Sequence, residues 1–270
     1  LGRHVEDVPG AEPAALDRIL AIAMNTVREA IRDRVLYTLL FFALALIGTG
    51  VVVSSLSYVE SDRILQDVGF AAIRVFGVAI AIFVGIGLVH REVDRRTIFT
   101  ILSKPISRSE FLLGKYVGLL LTLWLQIAVM GLGFVVVSWL AGASIGSVHA
   151  AALGLVGAEV AVVVAIALLF SSFTSPMLAS LFTAALWVIG HLSRDLRNLG
   201  AQSQLESVKR ATEVLYRALP DLGAFDLTMH AARGIPIALS DVALPLAYAA
   251  GYATLVLVAA TWIFERRDFR

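Results

Sequence analysis

Six apolar runs divide the chain, at residues 35–55, 68–89, 116–141, 149–170, 176–192 and 242–264. Each is long enough to cross a bilayer as a helix, which takes roughly 17–25 residues. Ahead of the first run, residues 14–34 show a different period. Leu16, Ile19, Leu20, Ala23, Val27 and Ile31 recur at helical spacing, with Arg18, Asn25, Arg28, Glu29 and Arg32 mainly on the other side. That pattern predicts an amphipathic helix suited to the membrane interface. A second such stripe, Leu205, Val208, Thr212, Leu215 and Leu219, falls within the longest polar segment, residues 193–241. It predicts a surface helix ended by Pro220, followed by a folded-back, partly re-entrant linker over 221–240. Residues 1–13 have no period and read as a loose tail.

The fold class predicted is an all-α integral membrane protein, with an N-terminal amphipathic interfacial helix and six transmembrane helices. Its parts are an N-terminal tail and elbow (1–34) and a six-helix transmembrane domain (35–270). Composition agrees. The chain is 59% hydrophobic and 16% charged, against about 25% charged in soluble domains. No cleavable signal peptide is expected, because the first apolar run is too long for a signal core. The net charge of +1 says little; its placement says more. Five Lys or Arg precede the first run, six lie in residues 90–115 and three in the tail after 264. Short basic loops stay inside, so both termini are expected in the cytoplasm of a cell inner (plasma) membrane, with 193–241 outside.

Residues 90–115, HREVDRRTIFTILSKPISRSEFLLGK, carry more order than a basic loop needs. Thr97 to Leu102 give a short apolar helical face, Ser103-Lys104-Pro105 breaks it, and Ser107-x-x-Glu110 is a capping box opening the next helix. Glu92, Asp94, Thr97, Leu102, Pro105, Ser107, Arg108, Gly114 and Lys115 stand in the order and spacing of the cytoplasmic loop of ABC-2 type transporter permeases, which this stretch resembles. Asp94 replaces the commoner Glu, and Arg96 stands where many members carry Gly. The resemblance implies an ATPase-coupling role for Glu92, Asp94, Arg95, Thr97, Leu102, Pro105, Ser107, Arg108 and Lys115. It also implies the partners: two ABC ATPase subunits holding ATP and Mg, a second identical or paralogous permease chain, and the lipid bilayer. The alternative reading is a non-transporting ABC complex that transmits ATPase motion to an extracytoplasmic protein.

The chain itself contains no G-x-x-x-x-G-K-[ST], no H-E-x-x-H and no G-x-S-x-G. No enzyme activity, cofactor or nucleic-acid partner is therefore expected of it. The five His residues show no metal-ligand spacing, and the absence of Cys excludes thiolate sites. Two charges interrupt the apolar runs, Arg74 and Glu159. Ionisable residues at membrane depth are costly and usually face a bundle interior. Counted from the outer ends of their spans at roughly 1.5 Å per residue, they lie about 9 and 15 Å deep, close enough to pair. They are the candidate pathway or gate residues.

Overall fold

A computed structural model describes residues 14–57, 60–94 and 107–266 of the chain. Among these, all regular structure is helical. The helices are α1 (Ala15–Ile31), α2 (Arg34–Ser54), α3 (Ser61–Asp94), α4 (Arg108–Leu140), α5 (Ser147–Ser171), α6 (Pro176–Gln202), α7 (Glu206–Ala218), α8 (Thr228–Arg233) and α9 (Leu239–Arg266), with a 3-10 turn at Leu222–Phe225. Helices α2 to α6 and α9 are long and apolar enough to cross a membrane.

Helix α5 is the staff of the bundle. Apart from Glu159 its long central stretch is apolar on every side, and every residue from Leu155 to Leu168 is buried. A helix without a polar face has to be surrounded, and α3, α4, α6 and α9 pack around it. Lipid is as apolar as the side chains, so such packing depends on close approach and interhelical hydrogen bonds. Both are present between α4 and α5. Trp124 Nε1 donates to the Gly157 carbonyl at 3.1 Å, and one turn on Tyr116 Oη donates to the Ala161 carbonyl at 3.3 Å. Helix α2 lies outside, against α3 and α4.

The helix ends follow local chemistry. Asp33 accepts from the Val35 amide and starts α2. Pro176 opens α6 at a position where its missing N–H is no loss. Gly234 closes α8 at φ +62°, a backbone conformation that favours glycine. The sequence predicted a loop over 56–67, but α3 begins at Ser61; Arg63 pairs with Glu60 and Asp67 at 3.3 and 3.9 Å, supporting a polar first turn. The fifth apolar run was expected to end at 192, yet α6 continues to Gln202. Its polar last turns are held by Arg194–Asp221 (2.8 Å) and Arg197–Glu213 (2.9 Å).

Helix α7 matches the second amphipathic stripe and runs back along α6, with Thr212 against Gly200. The segment after it, expected as a folded-back linker, packs against the bundle. Leu222, Phe225, Leu227 and Ala231 are buried, and the segment caps one end of α3, α5 and α6.

Candidate functional site

The expected coupling loop begins inside α3, whose last turn carries Glu92 and Asp94. Arg95, Thr97, Leu102 and Pro105 lie outside the described residues, as do the side chains of Glu92 and Asp94. The structure does describe the two roots of this loop, and both are tied to other helices.

At the first root, His90 is buried. Its Nε2 lies 3.1 Å from the Thr174 carbonyl and its Nδ1 3.0 Å from Ser171 Oγ. A carbonyl only accepts, so Nε2 carries the hydrogen and Nδ1 accepts from the serine hydroxyl. The ring thereby pins the end of α3 to the α5–α6 turn.

At the second root, Ser107 and Glu110 form the capping box: Ser107 Oγ accepts from the Glu110 amide at 3.2 Å and Glu110 Oε2 accepts from the Ser107 amide at 2.9 Å. The same carboxylate also receives both arms of Arg18 on α1, at 3.2 and 2.7 Å. One turn further, Lys115 is almost fully buried, 3.7 Å from Glu29 of α1 and near the face of Phe111. Between these pairs α1 crosses α4 over Gly114 and Gly118. A Cβ on Gly114 would stand 2.6 Å from Ile22 Cβ, and one on Gly118 2.5 Å from the Ala23 carbonyl oxygen. Gly114, the glycine of the loop motif, therefore has a packing reason. Arg108 Nη1 donates to the carbonyls of Phe264 and Glu265 at 2.9 and 3.0 Å, closing the last turn of α9, and Phe111 stacks on Phe264. Ser107, Arg108 and Lys115, which the sequence assigned to ATPase coupling, thus also act within the chain, on α1 and α9.

At the other end of the bundle, about 24 Å along α3 at 1.5 Å per residue, the two charges of the apolar runs meet. Arg74 Nε lies 3.2 Å from Glu159 Oε2, an ion-pair contact without hydrogen-bond alignment. Its Nη2 lies 2.9 Å from Asp226 Oδ1. Glu159 has no exposed side-chain surface; its Oε1 accepts from Trp187 Nε1 at 2.7 Å and lies 3.5 Å from His191 Nε2.

Asp226 was not among the sequence candidates. It sits in the segment read as linker, where one more acid has no contrast with its surroundings. Burial alone would raise its carboxyl; the hydrogen bond and charge of Arg74, with the hydroxyl and amide of Thr228, hold it well below the usual carboxylate range. The cluster joins α3, α5, α6 and the capping segment. Among the described residues no three His, Asp or Glu side chains converge as a metal site would need.

A family model described as ABC-2 family transporter protein matches residues 20–269, and the chain belongs to that family. It is a multi-pass membrane protein, the permease subunit of an ABC transporter that works with ABC ATPase subunits. No curated protein matches the chain.

Proposed function

We propose that this ABC-2 permease is an exporter subunit, and that two copies, or one copy and a paralogue, assemble with two ATPase subunits in an inner (plasma) membrane. ATP and Mg are held by those partners, since this chain has no phosphate-cradling loop. Residues 90–115 face the cytoplasm with both termini and form the coupling element. ATPase closure pushes on this element, and the push leaves it by three routes. His90 carries it to the α5–α6 turn, Arg108 to the end of α9, and the Arg18–Glu110 and Glu29–Lys115 pairs to α1. The Arg74–Glu159–Asp226 cluster holds the outer end closed until the helices shift.

The observation that supports this reading is the anchoring of both loop roots. A loop that merely joined two spans would have no need of three helix-to-helix ties at its ends. Glu92→Arg and Arg108→Glu are expected to leave membrane insertion intact and to weaken ATPase association by about tenfold, or ~1.4 kcal/mol. ATPase co-purification and substrate-stimulated ATP hydrolysis measure this; wild-type values for both variants would remove the loop from the mechanism.

The second reading, a complex that moves an extracytoplasmic partner without transport, draws on α7. None of that helix's described side chains is buried, and Leu205, Val214 and Leu215 are exposed at its start and along its length. An outer protein recovered with the purified complex, together with ATP hydrolysis unlinked to any exported solute, would favour it.

A further inference from the structure

Helix α7 descends beside α6 toward the membrane. Thr212 meets Gly200, Glu213 meets Arg197, and Leu222 and the Pro220 carbonyl meet Gly190. Between Pro176 and Ser193, α6 carries no Lys, Arg, Asp or Glu. That stretch spans about 27 Å at a rise of roughly 1.5 Å per residue, close to the ~30 Å of a bilayer's hydrocarbon core. Arg197 comes one turn after Arg194, the first charge of α6, and Arg217 falls between the levels of Arg197 and Gly190. Both arginines therefore sit at the depth of the lipid headgroups, a layer roughly 5–8 Å thick on each side.

The two arginines share one acid. Glu213 Oε2 accepts from Arg197 Nε at 2.9 Å, and its Oε1 accepts from Arg217 Nε at 3.0 Å. Each guanidinium is held by Nε alone, so the Nη atoms of both are left for another acceptor. The ring of Tyr216, with its centre 4.6 Å from the Arg197 guanidinium carbon, steadies that group further. One turn along α7, Arg210 lies 3.5 Å from Glu206, and Lys209 has no partner among the described residues. These six charged side chains line an open cleft of about 580 Å³ between α6 and α7, within the size range of ligand sites. Four cations thus face two carboxylates. Asp195, the one acid of α6, is not in the lining. The cleft carries an unbalanced positive charge, and its guanidinium groups are set in place before any ligand arrives.

We propose that this cleft binds the phosphate of an anionic phospholipid, in the leaflet that meets this end of the bundle. The guanidinium fork matches phosphate oxygens and holds them by charge-assisted hydrogen bonds. The depth of Arg197 and Arg217 decides the source: a phosphate at that level belongs to a headgroup. Val214, 66% exposed in the same lining, offers apolar surface beside the charges. The excess of cations selects an anionic headgroup over a zwitterionic one. A lipid held here ties the α6–α7 hairpin to the membrane surface. Neither the direction of transport nor the sidedness of the chain enters.

The test is lipid binding by the full chain, purified in detergent and followed by native mass spectrometry. The probes are phosphatidylglycerol, phosphatidylcholine and inorganic phosphate. Phosphatidylglycerol should bind more tightly than phosphatidylcholine, and inorganic phosphate at equal concentration should not displace it. Lys209→Gln combined with Arg217→Gln should weaken phosphatidylglycerol binding about thirtyfold, at roughly fivefold per cation. Arg63→Gln removes a charge at the same end of the bundle but outside the cleft, from a side chain paired with Glu60 and Asp67; it should change binding by less than about twofold. Lys209→Gln alone breaks no contact in the hairpin, so it guards against a fold loosened by the double change, and it should still cost about fivefold. Equal binding of the two lipids, equal losses in Arg63→Gln and the cleft variants, or no loss in Lys209→Gln would overturn the proposal. So would displacement of the lipid by inorganic phosphate, which would make the ligand a free anion.

Discussion

Arg74 and Glu159 show how far single residues can be read from sequence. Each is a lone charge in an apolar run, and the cost of such a charge demands a partner, so the pair was visible before any fold. Asp226, His191 and Trp187 were not. Asp226 and His191 lie beyond or at the end of an apolar run, where polar residues are ordinary, Trp187 is one more apolar residue inside a run, and only packing reveals that they converge on one cluster. Arg74→Ala should destabilise the chain by roughly 3–5 kcal/mol, because it strands a buried glutamate. The same loss is expected of Glu159→Ala for its partner, and the double variant should lose less than the two together. Thermal unfolding of all four chains gives the coupling, and additive losses would make the residues independent. Asp226 adds a pH dependence of known sign. Arg74 lowers its carboxyl below the usual range, so its contribution is present above the unfolded value of about 3.9 and is lost as pH falls below it. Asp226→Asn should remove that part of the acid sensitivity, measurable as unfolding midpoints between about pH 2 and 5.

At the scale of elements, the capping box at Ser107 was legible because its chemistry is local: a hydroxyl, a carboxylate and a three-residue spacing. The extension of α6 to Gln202 was not, since its last turns are polar and draw support from Asp221 and Glu213, far along the chain. The faces of α1 were legible only in part. The sequence assigned one apolar face, but the structure divides that side in two. Of that face only Ala23 is buried against α4, joined by Thr26 and Ala30 from beside it, while Leu16, Leu20 and Ile31 remain exposed. The seam explains why Gly114 stands in the loop motif. Gly114→Val should cost about 1–3 kcal/mol and loosen α1, because overpacked side chains force backbone shifts. Gly154→Ala, on an open face of α5 with nothing within 4 Å, should be neutral or slightly stabilising. Protease accessibility of α1, with unfolding midpoints, would compare them; equal behaviour would remove the close-crossing explanation.

Over the whole molecule, the six spans could be counted from the sequence because their length and hydropathy are intrinsic to each segment. Their arrangement could not, with one exception: α5, apolar all round but for Glu159, had to lie inside. In their most apolar stretches α2, α6 and α9 are each only 22% buried and α5 is 78% buried. The outer helices therefore leave their apolar surface free to face lipid. The two ends of the bundle should differ in sidedness. Ser175→Cys, exposed in the α5–α6 turn, should react with a membrane-impermeant thiol reagent only from the cytoplasm. Ser207→Cys, exposed on α7, should react only from outside. The chain has no native Cys, so the signal has no background. Reaction of Ser207→Cys from the cytoplasm alone would invert the topology.

The central claim is that this permease receives force at the loop between α3 and α4 from an ATPase on another chain. Purification of the intact complex from membranes, with its subunits identified by mass spectrometry before and after Glu92→Arg, tests it most directly. An ABC ATPase recovered in equal number with the wild-type chain, and lost or sharply reduced with the variant while the permease remains inserted and folded, is the predicted result. A wild-type complex without any ATPase, or one that keeps its ATPase in full when Glu92 is reversed in charge, would contradict the account.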